Sequence, residues 1–197
     1  MPKGDQTKEM ILQQAAQLFN RRGFFGSAMS DIMDVTGLEK GGIYNHFTSK
    51  EDLALQAFDY AVGVLREEIK LAVADKKHSV DRLIGLIGFY QRQSEGYPFA
   101  GGCPVMNTAI DADDSQPALR DRARVALEEW NTFIRRIIQR GKEKGEIRAN
   151  VDAETLSNVY LSMMEGAIMQ TRLNGNSRTM NRVVEYLTDY LNTQVRA

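Results

Sequence analysis

Gly37-Leu38-Glu39-Lys40-Gly41-Gly42-Ile43-Tyr44-Asn45-His46-Phe47, followed after Thr48 by Ser49-Lys50-Glu51-Asp52-Leu53, decides the fold. Gly37 breaks the chain before a short helix predicted from about Glu39 to His46, with Ile43 in its buried position and Phe47 closing it. Upstream, residues 7–22 carry Ile11, Leu12, Ala15, Ala16, Leu18 and Phe19 at three- and four-residue steps, the apolar face of a helix that Gly23 ends. Between the two, a second short helix is predicted from about Ala28 to Val35, with Ser27 as its N-cap and Met29, Ile32 and Met33 facing inward. Three short helices with a glycine turn before the third are the plan of a helix-turn-helix reader. They span under fifty residues, near the size at which an isolated core becomes marginal, and are expected to dock on the helix that follows.

That helix begins after Ser49-Lys50, where Leu53, Ala57, Phe58, Ala61, Val62, Leu65 and Ile69 make about six turns. Another follows Ser79. The densest interruption runs from Gly96 to Pro104, and a loop from Asp111 to Gln116 leads into Pro117, which suits the first turn of a helix bearing Leu119, Ala123, Leu127, Trp130, Ile134 and Ile137. The acidic residues Asp111, Asp113 and Asp114 lack the spacing of a calcium loop and are expected to be solvated, capping the next helix. Asp152 caps a helix with Leu156, Val159, Tyr160, Met163 and Met164. Asn174-Gly175-Asn176 breaks it, and Ser177 starts a last helix. No alternating run supports a sheet. The expected fold is all-α with about nine helices, divided near Lys50 into an N-terminal helix-turn-helix domain over residues 1–50 and a larger helical domain over residues 51–197.

Composition narrows the function. Of 197 residues, 43% are hydrophobic and 26% charged, the balance of a globular chain. Twenty-five Lys and Arg against 26 Asp and Glu leave a net charge of -1, so any nucleic-acid surface has to be local. One cysteine excludes an intrachain disulfide framework and a Cys-rich zinc site, and fits a reducing compartment. His46 and His78 have no evident nucleophile or ligand partners, so no catalytic site, metal or cofactor is expected. The charged first residues leave no apolar run for a signal peptide, and no segment is long and apolar enough for a membrane span. A cytoplasmic protein is expected.

The donors cluster around the third helix. Lys40 lies in its first turn, where a long cation reaches a base edge or a phosphate; Tyr44, Asn45 and His46 follow. Lys50 precedes the long helix, whose first amides favour a phosphate, and Ser27 offers a hydroxyl. Gly41 and Gly42 each cost about 1 kcal/mol relative to alanine inside a helix. Two readings are open: a poorly formed helix start, or room for the backbone to press on DNA. His46 divides evenly between phosphate donor and helix-end cap.

Gly23-Phe24-Phe25-Gly26-Ser27, Ile32 and the two segments quoted first resemble the TetR/AcrR family of one-component transcriptional repressors over about the first fifty-five residues. Thr36 stands where alanine is usual, Glu39 where serine or proline precedes the lysine, and Ala28 where Ser or Thr is frequent. The resemblance implies a homodimer holding two recognition helices on double-stranded operator DNA, released when a small molecule fills the C-terminal domain. Ser27, Lys40, Gly41, Gly42, Tyr44, Asn45, His46 and Lys50 are the expected DNA contacts.

For the dimer, Leu156, Val159, Tyr160, Met163 and Ala167 on one helix and Val183, Val184, Leu187 and Leu191 on the last give two apolar stripes that a two-fold four-helix interface would bury. Coupling between ligand and DNA is expected along the long helix beginning near Lys50. For the inducer, Trp130, Phe133, Ile134, Tyr160 and Met163, with Phe99, Cys103 and Met106 from the glycine-rich break and the helix after it, are the expected cavity residues. A stripe of this kind is more often plain core. Cys103 lies where amides and a helix start would favour the thiolate, against the commoner fate of an inert buried cysteine. The inducer is accordingly expected to be small and hydrophobic or electrophilic. The alternative is an all-helical interaction protein without specific DNA binding.

Overall fold

The helical periodicity becomes nine α-helices among the described residues, 3–112 and 116–197, of the computed structural model. They are α1 (Lys3–Arg22), α2 (Met29–Thr36), α3 (Lys40–Tyr44), α4 (Lys50–Ala74), α5 (Ser79–Ser94), α6 (Pro104–Ala112), α7 (Pro117–Glu143), α8 (Ala153–Asn174) and α9 (Arg178–Tyr190), with a π-helical turn at Leu191–Val195. No strand occurs among the described residues; a lone antiparallel bridge joins Ile147 to Arg196.

The chain forms two compact units. The first comprises Met1–Leu65 and Phe99–Ala126, the second Arg66–Pro98 and Leu127–Ala197. In the first, α1 packs on α2 and α6, and α2 on α3. Its core is Ile11, Ala15, Ile32, Ile43, Phe47, Leu53 and Ala57, all at most 3% exposed. Each large member contributes roughly 1.5–3 kcal/mol by leaving water. In the second, α5 packs on α8 and α9. Tyr160 is fully buried there, its hydroxyl donating to the Leu83 carbonyl at 2.7 Å beside the Tyr90 ring, and burial pushes its phenol well above the ordinary value.

Several local expectations change. Ala28, not Ser27, is the N-cap of α2; Asp31 closes the turn by accepting the Ala28 N–H at 2.7 Å, while Ser27 is buried and donates its hydroxyl to the Gly23 carbonyl. Leu38, whose apolar side chain the helical pattern assigns to the core with Ile43 and Phe47, is only half-buried. On α7, Leu127 is 41% exposed and Ala126 takes the inner position. Asp111 is not a solvated loop residue: it lies on α6 and accepts the Phe24 N–H at 2.7 Å. Asp113 and Asp114 fall outside the described residues. The stripes expected to meet across a dimer are partly internal, because Tyr160, Ala167, Leu187 and Leu191 are buried within the chain.

Among the carboxylates held below the ordinary range by hydrogen bonds are Asp52, by the Thr48 N–H and then the Gln56 amide, Asp152, by the Thr155 N–H, and Glu146, by Ser79. A pKa lowered on folding adds stability that is fully present above the unfolded value and is lost as pH falls through the folded one. Thermal midpoints are therefore expected to be flat from pH 7 to about 5 and to drop below about pH 4. Glu146→Gln together with Asp152→Asn should shrink that drop; an unchanged acid limb in the double variant would contradict the assignment.

Candidate DNA-binding site

The reading head is built around a helix of five residues. Gly37, with φ of +67°, ends α2 by donating its N–H to the Met33 carbonyl at 2.8 Å, and Thr36 donates its hydroxyl to the Ile32 carbonyl. The chain then turns through Leu38 and Glu39 into α3, where Ile43 is fully buried and Phe47, just beyond, is 2% exposed. These two side chains fix which way α3 faces. Its outer side carries Lys40, Gly41, Tyr44 and Asn45, all exposed. The Lys40 ammonium lies 5.7 Å from the centre of the Tyr44 ring, a cation–π pair that pre-orders both side chains.

A Cβ built on Gly41 would meet nothing within 4 Å, and one on Gly42 would make only ordinary contact with Leu38. Packing within the protein therefore does not demand either glycine. His46 is half-buried with its ring beside Phe47. Ser49 caps α4 by accepting the Asp52 N–H at 3.0 Å, while Asp52 accepts the Thr48 N–H. Lys50 is half-buried: its ammonium donates to the Phe24 carbonyl at 2.7 Å and lies 4.1 Å from the Phe24 ring centre. Of the eight expected DNA contacts, six lie together on residues 40–46, with Lys50 four residues on, whereas the Ser27 side chain faces inward.

The expected inducer residues divide between the units. Phe99, Cys103 and Met106 belong to the first, with Phe99 and Cys103 buried and Met106 half-buried. Trp130, Phe133, Ile134, Tyr160 and Met163 belong to the second. Met163 lines an open groove between α8 and α9 with Val159, Tyr186 and Tyr190. None of the eight borders the cavity of about 30 Å³ between α1, α4 and α6, room for one water, which is lined by Phe19, Asn20, Phe58, Asn107 and Asp111 among others.

Gln93 on α5 escaped sequence reasoning. It is fully buried, and neither amide atom has a hydrogen-bond partner among the described residues. A glutamine on a helix gives no such signal from its spacing. Among the described residues no cluster of three His, Cys, Asp or Glu could hold a metal ion, and no helix is long and apolar enough to cross a membrane.

Residues 11–57 match the family model described as "Bacterial regulatory proteins, tetR family", and residues 79–187 match "Tetracyclin repressor-like, C-terminal domain". The solved structure of a TetR transcriptional regulator from Chloroflexus aurantiacus J-10-FL is 46% identical, covering 100% of this chain and 99% of its own, with a TM-score of 0.96. The HTH-type transcriptional repressor DhaR of Mycobacterium sp. (strain GP1) is 24% identical over 185 residues, 93% of this chain and 91% of that protein. The fold is also that of the TetR family regulator CifR, solved as a cysteine mutant with 26-bp double-strand operator DNA, at 22% identity over 91% of this chain and 94% of that one, with a TM-score of 0.79. A C-terminal match over more than half the chain, joined to an N-terminal match over the reading head, places this protein in the TetR family of helix-turn-helix transcriptional regulators.

Proposed function

We propose that the protein is a repressor that holds operator DNA through α3 and the start of α4 and releases it when a small molecule occupies residues 51–197. The observation that carries this reading is the division of α3, with Ile43 inward and Lys40, Tyr44 and Asn45 outward beside a glycine that packing does not require. Lys40 supplies a cation to a base edge or phosphate, Tyr44 and Asn45 supply hydrogen bonds, and Gly41 and Gly42 let the backbone approach. CifR, of the same fold, was solved on operator DNA. The protein works as a cytoplasmic homodimer whose two reading heads stand about one helical turn of DNA apart, roughly 34–36 Å.

The inducer is a small hydrophobic or electrophilic molecule. An electrophile acting at Cys103 has first to uncover a fully buried thiol. Native protein is accordingly expected to react with N-ethylmaleimide at least about a hundred-fold more slowly than urea-unfolded protein. Reaction at the unfolded rate would favour covalent sensing. The helix shared by both activities is α4, and a ligand that lowers operator affinity is itself bound more weakly, by the same factor, in the presence of operator.

A gel shift against the DNA upstream of the protein's own gene tests the main reading. Saturable binding that weakens with salt and falls about ten-fold in Tyr44→Ala is the expected result. Retention of no promoter fragment would leave the all-helical interaction protein as the better description.

A further inference from the structure

Phe24 lies in the turn that joins α1 to α2, and both of its backbone groups are taken by charged side chains. Its N–H donates to Asp111 on α6 at 2.7 Å, and its carbonyl accepts from the Lys50 ammonium on α4 at 2.7 Å. All three residues belong to the first compact unit. Both are charge-assisted bonds, the stronger kind.

The preceding residue is shaped to this arrangement. Gly23 has φ of +76°, and a Cβ there would come within 2.7 Å of the Asp111 carboxylate, so glycine is what lets α6 approach so closely. One turn earlier on the same face of α6, Asn107 donates to the carbonyls of Asn20 and Gly101 and to the Asn20 side chain, while Asn20 donates to the Ala100 and Gly102 carbonyls. The end of α1 is thus gripped by α6 at two points, and the second grip continues through Phe24 to Lys50.

We propose that Asp111 is a positioning residue for operator binding: by holding the Phe24 N–H it fixes the carbonyl that holds the Lys50 ammonium at the start of α4. A lysine carries its charge on a flexible four-carbon stem. The Phe24 carbonyl and ring confine that charge, leaving the other two N–H bonds of the ammonium for a phosphate. Without Asp111 the Phe24 N–H loses its partner, and the Phe24 carbonyl keeps only the long bond from the Ser27 N–H, at 3.4 Å, to hold its direction within the turn. This rests on the DNA-binding reading above.

The test is a double-mutant cycle read by fluorescence anisotropy on a labelled promoter fragment over a series of KCl concentrations, with wild type, Asp111→Ala, Lys50→Ala and the double variant. Asp111→Ala removes the acceptor of the Phe24 N–H and is expected to weaken binding about ten-fold. It should also flatten the salt slope by about one unit, as Lys50→Ala should. The double variant should bind no more weakly than Lys50→Ala, because the two substitutions remove one contact. Asp111→Asn, which keeps an acceptor oxygen and loses only the charge, is the control and should bind within about three-fold of wild type. Asp111→Ala with an unchanged slope, or two effects that multiply, overturns the proposal while leaving the DNA-binding reading in place. Wild-type protein that binds no fragment overturns both. Should Asp111→Ala lose its helical circular dichroism, Asp111→Leu, which fills the space without an acceptor, carries the same cycle with the same outcomes.

Discussion

Replacing Tyr186 and Tyr190 together by aspartate is expected to leave a folded monomer that binds operator at least about a hundred-fold more weakly than wild type. Tyr186 is 61% exposed and Tyr190 37%, and their rings stack 6.4 Å apart on the outer side of α9. With Val159, at 46% exposure, and Met163 they line a groove of about 490 Å³ between α8 and α9. In a two-fold interface each of these side chains appears twice, so two substitutions bury four charges against apolar surface. A monomer then offers one reading head where the dimer offers two, and loses the effective concentration that linkage supplies. Leu187→Asp is the wrong probe, because Leu187 is 1% exposed within the chain and a charge there unfolds the protein before it separates subunits. Sedimentation at micromolar concentration, with circular dichroism as the folding control, measures the result. A wild-type monomer, or a variant that still sediments as a dimer, would refute the interface.

The contrast between Leu187 and Tyr186 shows what periodicity can and cannot assign. Helical spacing identifies an apolar stripe, but in the proposed dimer α9 has two neighbours to satisfy, its own chain and a second subunit, and the stripe alone does not apportion residues between them. The same limit explains Leu127, an apolar residue on the wrong side of α7. Tyr160 was legible only as a member of an apolar stripe, offered both to the dimer and to the cavity; its partner, the Leu83 carbonyl, lies 77 residues away and leaves no local mark. The reading head was legible in greater detail because its meaning is local: a glycine turn, one buried Ile and a cluster of donors fall within a dozen residues. Asp111 was misread for the opposite reason. Its partner is a backbone N–H 87 residues distant, and an aspartate before a loop looks like any solvated carboxylate.

Ile43→Ala is expected to abolish operator binding although Ile43 touches no DNA. A helix of five residues containing Gly41 and Gly42 cannot hold itself: nucleation is unfavourable, isolated helices shorter than about 12 residues are marginal, and each glycine adds about 1 kcal/mol against it. What keeps α3 in place is tertiary packing, and Ile43, fully buried, is its own contribution to the core. Truncating a buried isoleucine to alanine costs about 2–5 kcal/mol, more than so short a helix can lose and still stay docked. Tyr44→Ala is the matched control. Its side chain is 39% exposed, so stability should change by less than about 1 kcal/mol while operator affinity falls about ten-fold. Thermal melting and anisotropy on the same promoter fragment separate the two: loss of both stability and binding at Ile43, and loss of binding alone at Tyr44. Ile43→Ala that still binds operator within about three-fold of wild type would mean that α3 is held by something other than its buried side chain.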